Sequence, residues 1–484
     1  MPNDGFDLNR AAHDEMVHEG FSPDFLSGTD QQIAELRHRP PAASADVRDL
    51  RKLLWSSIDN DTSRDLDQIE VAERVNGGIR VMVGIADVDS DVAIDSPIDR
   101  HASAQTTSVY TAVHTFPMLP EDLSTDLTSL NENQDRAAIV IEFVVSPSGD
   151  ISEPNIYRAL VHNRAQLTYN GVGPWLEGKS AAPPKVVASA DLAAQLKLQD
   201  EAALALRAQR HRLGALEFDR PEPQAIVQNG NVREVTANRK TRANDLIEDF
   251  MVAANEVMAK TLKQRGRSSI RRVVKTPERW PRIVQLARDC GDNLPEDPDS
   301  GALNAFLQRR RAADPVHYPD LSLAVVKLMG PGEYVLSQAN DESDGHFGLA
   351  THDYTHSTAP NRRFADLVTQ RLLKAAWDNH AAPYSDAQLD AIARNCTLKE
   401  DAARKVERTM LKRVAAVALK DRIGETFAAV VTGVTPKGVF VRVPQPPVEG
   451  RVMRGEEGMD VGDQVRVKLL RTDPQRGFID FGRA

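Results

Sequence analysis

Four aspartates lie within nine positions of one another, at residues 59, 61, 65 and 67. Carboxylates this close repel one another and raise one another's pKa values unless a cation offsets their charge. Arg64 is the only cation between them. Hard oxygen ligands of this kind suit magnesium or manganese. Taken alone, the pattern leaves two interpretations open, a divalent metal site or, more often for such a cluster, a solvated acidic loop.

The composition limits the class of protein. A chain of 484 residues is too long for one core, so two or more domains are expected. The net charge of -10 is unusual for a nucleic-acid binder, and any RNA would need a local basic channel. Cys290 and Cys396 form no metal-binding spacing, which favours a reducing, cytoplasmic location. We expect no membrane span, because no apolar run approaches about 18 residues.

The elements around the aspartates predict a mixed α+β fold. One β-hairpin is expected over 68–74 and 79–86, with Asn76-Gly77 as a type I′ turn, and a second over 137–145 and 151–161. Apolar residues at helical spacing predict helices over 190–212, 244–265, 360–377 and 385–422.

Both ends of the chain differ from this middle part. Helices are predicted over 9–19 and from 29 onward, which suggests a helix-turn-helix-like module in residues 1–46. Short strands over 428–433, 439–443, 464–470 and 478–481, with room for a fifth, predict a small barrel in residues 423–484. Residues 47–422 would form the domain between them.

Several ordered motifs resemble the ribonuclease II and ribonuclease R family, the RNB family of 3′-to-5′ exoribonucleases. The resemblance covers roughly residues 50 to 484 and implies an RNB catalytic core, a mixed β-sheet surrounded by helices, followed by an OB-fold barrel. The motifs are Ile58-Asp59 with Asp65-Leu66-Asp67, then 83–88, 107–110 with 117–120, 246–255 and 354–366.

The resemblance assigns catalytic roles to four residues. It implies that Asp59, Asp65 and Asp67 hold magnesium, with manganese as a substitute, and that a metal-activated water attacks the terminal phosphodiester in line. Arg362 matches the catalytic arginine of the family. It follows Pro360 at a predicted helix start, where its fork and free N–H groups would grip a phosphate. Without the motif, a surface arginine that caps the helix is an equal alternative.

The resemblance also implies an RNA-binding set. Tyr110 and Phe218 match the aromatic residues that clamp the stacked terminal nucleotides, and Tyr169 and Glu248 match residues that line the cavity of the last nucleotide. Stacking on aromatic rings is sequence-tolerant. Considered singly, the aromatic residues would more often belong to the core, and Glu248 would be a surface carboxylate.

The C-terminal barrel resembles the ribosomal-protein S-one type of OB fold, through residues 433–441 and 462–467. Phe427 and Phe440 are its predicted stacking residues, with Lys437, Arg442, Arg466 and Lys468 beside them. The usual Gly-Leu-Val-His of that domain is replaced by the sequence of residues 450–453, which weakens the match to its base-contact face.

Gln68 departs from the family, whose motif has a fourth aspartate at this position. A neutral amide cannot balance the charge of a second ion. Asp61 and the RNA phosphate could hold that ion, the ion could bind weakly with slow turnover, or the chain could be a catalytically impaired RNA-binding regulator. We favour an active, processive and sequence-nonspecific 3′-to-5′ exoribonuclease that releases nucleoside 5′-monophosphates and acts in RNA degradation.

The family typically has two cold-shock-type barrels before the catalytic domain, whereas about 46 residues precede it here. This difference suggests a more open RNA path, with single-stranded RNA as the partner and structured RNA with a 3′ overhang as a further substrate. The resemblance also implies a monomer.

Overall fold

The computed structural model describes residues 6–38, 46–218, 222–228, 231–238, 240–315, 317–339, 341 and 345–484, with only the backbone described between 222 and 238. The strands are β1 (Arg48–Asp49), β2 (Trp55–Asp59), β3 (Gln68–Val75), β4 (Gly78–Ala86), β5 (Val109–Tyr110), β6 (Thr115–Phe116), β7 (Asp135–Val145), β8 (Ile151–Thr168), β9 (Glu222–Gln228), β10 (Asn231–Asn238), β11 (Ser269–Val273), β12 (Glu333–Ser337), β13 (Thr426–Thr435), β14 (Gly438–Pro444), β15 (Pro447–Arg454), β16 (Gln464–Asp473) and β17 (Phe478–Arg483).

The helices surround the main sheet and connect it to the barrel. They are α1 (Leu8–His18), α2 (Thr29–Arg37), α3 (Pro97–Gln105), α4 (Tyr169–Leu176), α5 (Pro184–Val187), α6 (Ala190–Arg212), α7 (Arg242–Gln264), α8 (Trp280–Asp289), α9 (Ser300–Ala313), α10 (Tyr318–Met329), α11 (Phe364–Trp377) and α12 (Asp386–Ala418). No described helix is both long enough and apolar enough to cross a membrane.

The main sheet has six strands in the order β1-β8-β2-β3-β4-β7. Its long strand β8 also pairs with β7, so that β8 connects the β7 edge of the sheet to β1 and β2 near the other edge. Strand β4 is almost entirely buried, with β3 and β7 as its neighbours, because apolar residues occupy both of its faces. The predicted α+β class is confirmed.

The turn between β3 and β4 corrects one prediction. Gly77 has a φ of +88°, whereas Asn76 is absent from the positive-φ residues of the described chain. A type I′ turn needs positive φ at both central residues, so that assignment was wrong. The register is nevertheless the expected one, with Val75 opposite Gly78.

Helix α12 connects the N-terminal helices to the C-terminal barrel. Near its middle it packs against α1 and the β5–β6 hairpin, in an apolar cluster that includes Met16, Val109, Phe116 and Val406. At its end, Ala416 and Leu419 enter the core of the barrel.

The barrel is closed, in the order β13-β14-β15-β17-β16. The four predicted strands are present, and β15 is the fifth. The predicted domain boundaries at 46/47 and 422/423 stay a prediction.

Candidate active site

The acidic loop connects β2 to β3, so Asp59 at the end of β2 lies near Asp67 just before β3. The carboxylate of Asp59 accepts hydrogen bonds from Asn60 N at 2.7 Å and Ser63 Oγ at 2.8 Å. The side chain of Leu66 is buried in the core. This buried side chain, between the partly buried Asp65 and the buried Asp67, holds the aspartates at one edge of the sheet.

Asp67 is the buried member of the cluster, with 2% of its surface exposed. Its Oδ1 accepts a hydrogen bond from Asn361 N at 2.9 Å, and its Oδ2 lies 3.5 Å from Arg362 Nε. Burial raises the pKa of Asp67 to about 7, although Arg362 and the Asn361 amide oppose the shift. The fold thus joins two motifs that are almost 300 residues apart, because Asn361 follows Asp67 by 294 positions.

Arg362 lies in the turn before α11, and its side chain is 45% exposed. The predicted helix start at residue 360 was wrong, since α11 begins at Phe364. The N–H groups of this turn are also engaged, that of Asn361 by Asp67 and that of Arg362 by Ala359 O. The guanidinium, rather than a helix N-terminus, is therefore the group available to a phosphate.

Tyr110 reaches the acidic loop from the β5–β6 hairpin. Its hydroxyl donates to Asp65 Oδ2 at 2.9 Å, and its backbone N–H donates to Glu407 Oε1 at 3.1 Å. Burial of the hydroxyl and the charge of Asp65 raise the pKa of Tyr110. The residue as a whole is 42% exposed, so the ring offers a surface for stacking while its hydroxyl is held.

Tyr169 begins α4, directly after the residue of β8 that pairs with Asp59. Burial raises the pKa of its phenol, and the charges of Asp59 and Glu70 add to the effect. Arg362 and Glu248 also act on this phenol. The charges that act on Tyr169 thus come from both the predicted catalytic and the predicted RNA-binding residues.

Glu248 is half-buried on α7 and forms an ion pair with Lys240. Burial acts to raise the pKa of Glu248, but Lys240, Arg210 and Arg207 together outweigh it, so the net shift is downward. The lowered pKa favours the ionised form of the side chain, and its role beside the terminal nucleotide stays a prediction.

Phe218 and Phe440 are not brought to the acidic loop by any described contact. Phe218 is half-buried against the apolar cluster of α8, α9 and α10, and residues 219–221 beyond it lie outside the described residues. Phe440 is half-buried on β14, opposite Arg451 of β15. Both roles stay predictions.

Phe427 corrects the predicted face of the barrel. Only 6% of it is exposed, and its ring packs edge-to-face against Phe481 with centroids 6.3 Å apart. The alternation Phe427, Ala429, Val431 points inward, so the prediction of a stacking role was wrong. Arg442 does face outward, but its guanidinium forms an ion pair with Asp320 of α10 at 2.8 Å.

Sequence reasoning missed Glu70, a carboxylic acid in the middle of the buried part of β3. It is 0% exposed, and neither carboxyl oxygen has a hydrogen-bond partner in the described part of the chain. Burial raises the pKa of Glu70 well above its ordinary value, and the charge of Asp59 adds to the rise. A signal was present in the sequence, since the residues from Gln68 to Val71 alternate polar and apolar side chains, and the structure shows all four to be buried.

The donor set suits a divalent cation. Asp59, Asp65 and Asp67 offer hard carboxylate oxygens of the kind that bind magnesium and manganese. Within the described ranges, the trio of potential metal ligands whose ligand atoms all lie within 4.8 Å of one another is instead Glu15, His18 and Glu19, at the C-terminal end of α1. Glu15 and Glu19 already pair with Arg413 and Lys405, so both carboxylates of that trio have cationic partners within the chain.

Two family models match the chain. The RNB domain matches residues 47–379, and the RNase II-type exonuclease C-terminal S1 domain matches residues 425–484. The chain is 28% identical to "Ribonuclease R 1" of Lactococcus lactis over 90% of its own length, and 29% identical to "Ribonuclease R" of Escherichia coli over 93%. It spans 56% and 59% of the length of these two relatives.

Solved structures show the same fold. "Mycoplasma genitalium RNase R in complex with ribose methylated single-stranded RNA" covers the whole chain and 78% of its own, with a TM-score of 0.87 and 23% identity. "Mycoplasma genitalium RNase R in complex with double-stranded RNA" has a TM-score of 0.86 at 24% identity and covers 100% of this chain and 84% of its own. "Structure of yeast Ssd1, a pseudonuclease" has a TM-score of 0.73 at 17% identity, over 97% of this chain and 57% of its own.

Proposed function

Because this chain belongs to the RNB domain family, we propose that it is a processive, sequence-nonspecific exoribonuclease that degrades RNA from the 3′ end in the cytoplasm and releases nucleoside 5′-monophosphates. One observation carries the proposal. Asp67 contacts the turn of Arg362 while Asp65 holds the hydroxyl of Tyr110, so that carboxylates, a guanidinium and an aromatic ring share one edge of the sheet.

In the proposed mechanism, the aspartates bind the metal and the arginine binds the phosphate. Asp59, Asp65 and Asp67 would hold magnesium, which supplies charge stabilisation at the scissile phosphate and lowers the pKa of water. Arg362, exposed and beside Asp67, would bind the phosphate oxygens through its planar fork. The buried side of the site keeps bulk water away, which strengthens both interactions.

The substrate is proposed to be single-stranded RNA, with the last nucleotides stacked on Tyr110 and Phe218 and the terminal one beside Tyr169 and Glu248. The exposed ring of Tyr110 supports this assignment. Structured RNA with a 3′ overhang is proposed as a further substrate, and Phe440 as a contact on the barrel. We also propose a monomer with domains at 1–46, 47–422 and 423–484.

A second candidate function is that of a catalytically impaired RNA-binding regulator. Gln68 favours it, because an amide stands where the family motif has a carboxylate. The likeness in fold to a structure described as a pseudonuclease shows that this architecture also occurs without activity.

One experiment separates the two functions. A 5′-labelled oligoribonucleotide is incubated with the protein in magnesium, in manganese and in chelator, and its length is followed on a gel. Stepwise shortening that needs the metal and disappears in Asp67→Asn supports the enzyme. Binding without shortening, or shortening that Asp67→Asn leaves unaltered, contradicts it.

A further inference from the structure

The segment of residues 128–130 lies directly against the acidic loop. Ser129 Oγ accepts a hydrogen bond from Leu66 N at 3.0 Å and donates to Arg64 O at 2.8 Å. Leu130 N donates to Leu66 O at 2.9 Å. The three residues of the segment are buried, at 4%, 0% and 1% exposure. The segment therefore fixes the backbone on both sides of the third aspartate of the cluster.

Thr128, the first residue of this segment, also reaches the turn that carries Arg362. Its Oγ1 donates to Asn361 Oδ1 at 2.6 Å. Both side chains are buried, since Thr128 is 4% and Asn361 is 1% exposed. The backbone N–H of Asn361 donates to Asp67 Oδ1 at 2.9 Å. Asn361 thus bonds on one side to the support of the acidic loop and on the other side to the last aspartate of that loop.

The bond between Thr128 and Asn361 does not depend on the orientation of the amide. Thr128 Oγ1 also lies 2.9 Å from Leu123 O, and a hydroxyl has one proton to donate. If that proton goes to Leu123 O, the amide turns about and donates from Nδ2 to Thr128 Oγ1. The other amide position has no partner among the described residues, so Thr128 is the residue there that holds the side chain of Asn361 by a hydrogen bond.

Other backbone contacts of this turn lead away from the acidic loop. Ala359 N donates to Asp366 Oδ1 of α11 at 2.8 Å, and Arg362 O accepts from Ser108 N, just before β5, at 3.0 Å. Among the described hydrogen bonds and ion pairs, those that join the turn to the acidic loop and its support are made by Asn361 and by the side chain of Arg362.

The position of this turn decides where the guanidinium of Arg362 lies relative to Asp67. The guanidinium is 45% exposed, and 3.5 Å separates its Nε from Asp67 Oδ2. A misplacement of about 1 Å between groups that act together can lower a rate by about 10²-fold. Stability alone does not require the pair of Thr128 and Asn361, because apolar groups of the same shape in place of both partners of a buried hydrogen bond can be nearly neutral.

We propose that Asn361 is a positioning residue, whose side-chain bond to Thr128 fixes the Arg362 turn against the acidic loop. The bond keeps the guanidinium of Arg362 and the carboxylate of Asp67 at the separation that hydrolysis requires. Asn361 acts through these two residues, and no contact with RNA or metal is assigned to it. The inference rests on the proposed function for the reaction that this geometry serves.

Two substitutions of Thr128 test the proposal. Thr128→Val removes the hydroxyl and keeps the shape, whereas Thr128→Ser keeps the hydroxyl. Single-turnover hydrolysis of a 5′-labelled oligoribonucleotide is measured in magnesium at saturating protein, at a temperature where each variant is folded. We expect Thr128→Val to be about tenfold slower, with RNA binding in chelator unchanged, and Thr128→Ser to retain the rate.

A double-mutant cycle shows whether the two residues act through one bond. Asn361→Leu should also be about tenfold slower, and adding Thr128→Val to it should slow the reaction no further. The matched control is Thr261→Val on α7, since the partly buried Thr261 donates to Val257 O of its own helix at 2.8 Å. The control retains the rate of the unaltered chain.

Manganese binding gives a readout that does not depend on turnover. Free Mn²⁺ is titrated and followed by electron paramagnetic resonance. Because Asn361 holds the carboxylate of Asp67, we expect Thr128→Val and Asn361→Leu to raise the midpoint about tenfold. Thr128→Ser and Thr261→Val leave the midpoint unchanged.

An unaltered rate for Thr128→Val, or losses that add in the double variant, overturn the proposal. Should Thr128→Val not fold, Asn361→Leu takes its place, and a rate equal to that of the unaltered chain overturns the proposal in the same way.

The outcome is separable from that of the proposed function. A chain that shortens RNA equally well with Thr128→Val refutes only this inference. A chain that never shortens RNA, yet binds manganese more weakly in Thr128→Val than in Thr128→Ser, refutes only the proposed function.

Discussion

At the scale of single residues, Asp67 and Arg362 form an unequal pair. The carboxylate is buried and the guanidinium is 45% exposed, with 3.5 Å between Asp67 Oδ2 and Arg362 Nε. The carboxylate of Asp67 is fixed by a hydrogen bond from the backbone amide of Asn361. The guanidinium of Arg362 is exposed and can turn toward a phosphate, as the proposed role in phosphate binding requires.

Arg362→Lys should lower the single-turnover rate of RNA hydrolysis by about 10²–10³-fold, because lysine keeps the charge and loses the planar fork. Binding of RNA in chelator should change much less. Arg74→Lys is the control, since Arg74 pairs with Glu201 at the far end of β3. Equal rates for Arg362→Lys and the unaltered protein would remove Arg362 from the site.

Asp67→Asn should change how stability depends on pH in the metal-free protein. Burial raises the pKa of Asp67 to about 7 from an ordinary value of 3.8. The folded state therefore keeps a proton that the unfolded chain releases, which stabilises it fully below about pH 4. This contribution is lost as the pH rises through about 7.

The asparagine variant has no such proton to lose. Urea unfolding in chelator at pH 5 and pH 8 should show the unaltered protein weakening relative to Asp67→Asn, by about 2–3 kcal/mol. Parallel pH profiles for the two proteins would show that Asp67 is ionised throughout.

The sequence predicted where the candidate site lies, but it did not predict every acidic residue near it. The aspartates and Arg362 stand in motifs, so their proximity followed from a resemblance. Glu70 stands in no motif, and its lack of a partner depends on which strands flank β3. The prediction for Phe427 failed for a different reason. The alternation of side chains along β13 indicated that Phe427 points inward, but the prediction of a stacking role relied on its aromatic side chain alone.

At the scale of elements, the hairpin that carries Tyr110 has only two residues in each strand. Such a hairpin is not stable by itself. Its position depends on Glu407 of α12 and on an apolar cluster with α1, which includes Met16. Sequence reasoning could not find this support, because it comes from residues about 100 positions before and 300 after the hairpin.

Met16→Ala should destabilise the protein by about 2–5 kcal/mol and raise the KM for RNA several-fold, since the cavity loosens the support of Tyr110. Met258→Ala removes a comparably buried methionine from the main core, on α7. It should cost similar stability and leave KM unchanged. Equal KM values for both variants would show that α1 does not position the hairpin.

At the scale of the whole molecule, the contacts that attach the barrel include two of different kinds, an apolar one and an ion pair. Leu419, just beyond α12, is 1% exposed within the core of the barrel. The ion pair between Arg442 and Asp320 is about one-third exposed on both sides, at 34% and 39%. Exposed ion pairs contribute little to stability.

Leu419→Ala should therefore lower the free energy of unfolding by about 2–5 kcal/mol, measured in urea. Arg442→Ala should lower it by less than about 1 kcal/mol. A larger effect of Arg442→Ala would show that polar contacts, rather than the shared apolar core, hold the barrel in place.

The order of helices and strands along the chain was largely predictable from the sequence, but the packing contacts between them were not. The predicted helix over 385–422 corresponds to α12, which ends at Ala418 and passes its last apolar residues to the barrel. Periodicity reports that a face is apolar. It does not report whether α1, a hairpin or a barrel covers that face.

Helix α12 also has a mechanical consequence. Its 33 residues form a rod of roughly 50 Å, with the barrel seated at its end and the Tyr110 hairpin along its side. A nuclease that draws its strand inward pulls on whatever surface holds the incoming RNA. Under the proposed function, the recoil in this chain would pass from the barrel into a continuous helix, and that helix would carry the load to the hairpin beside the candidate active site.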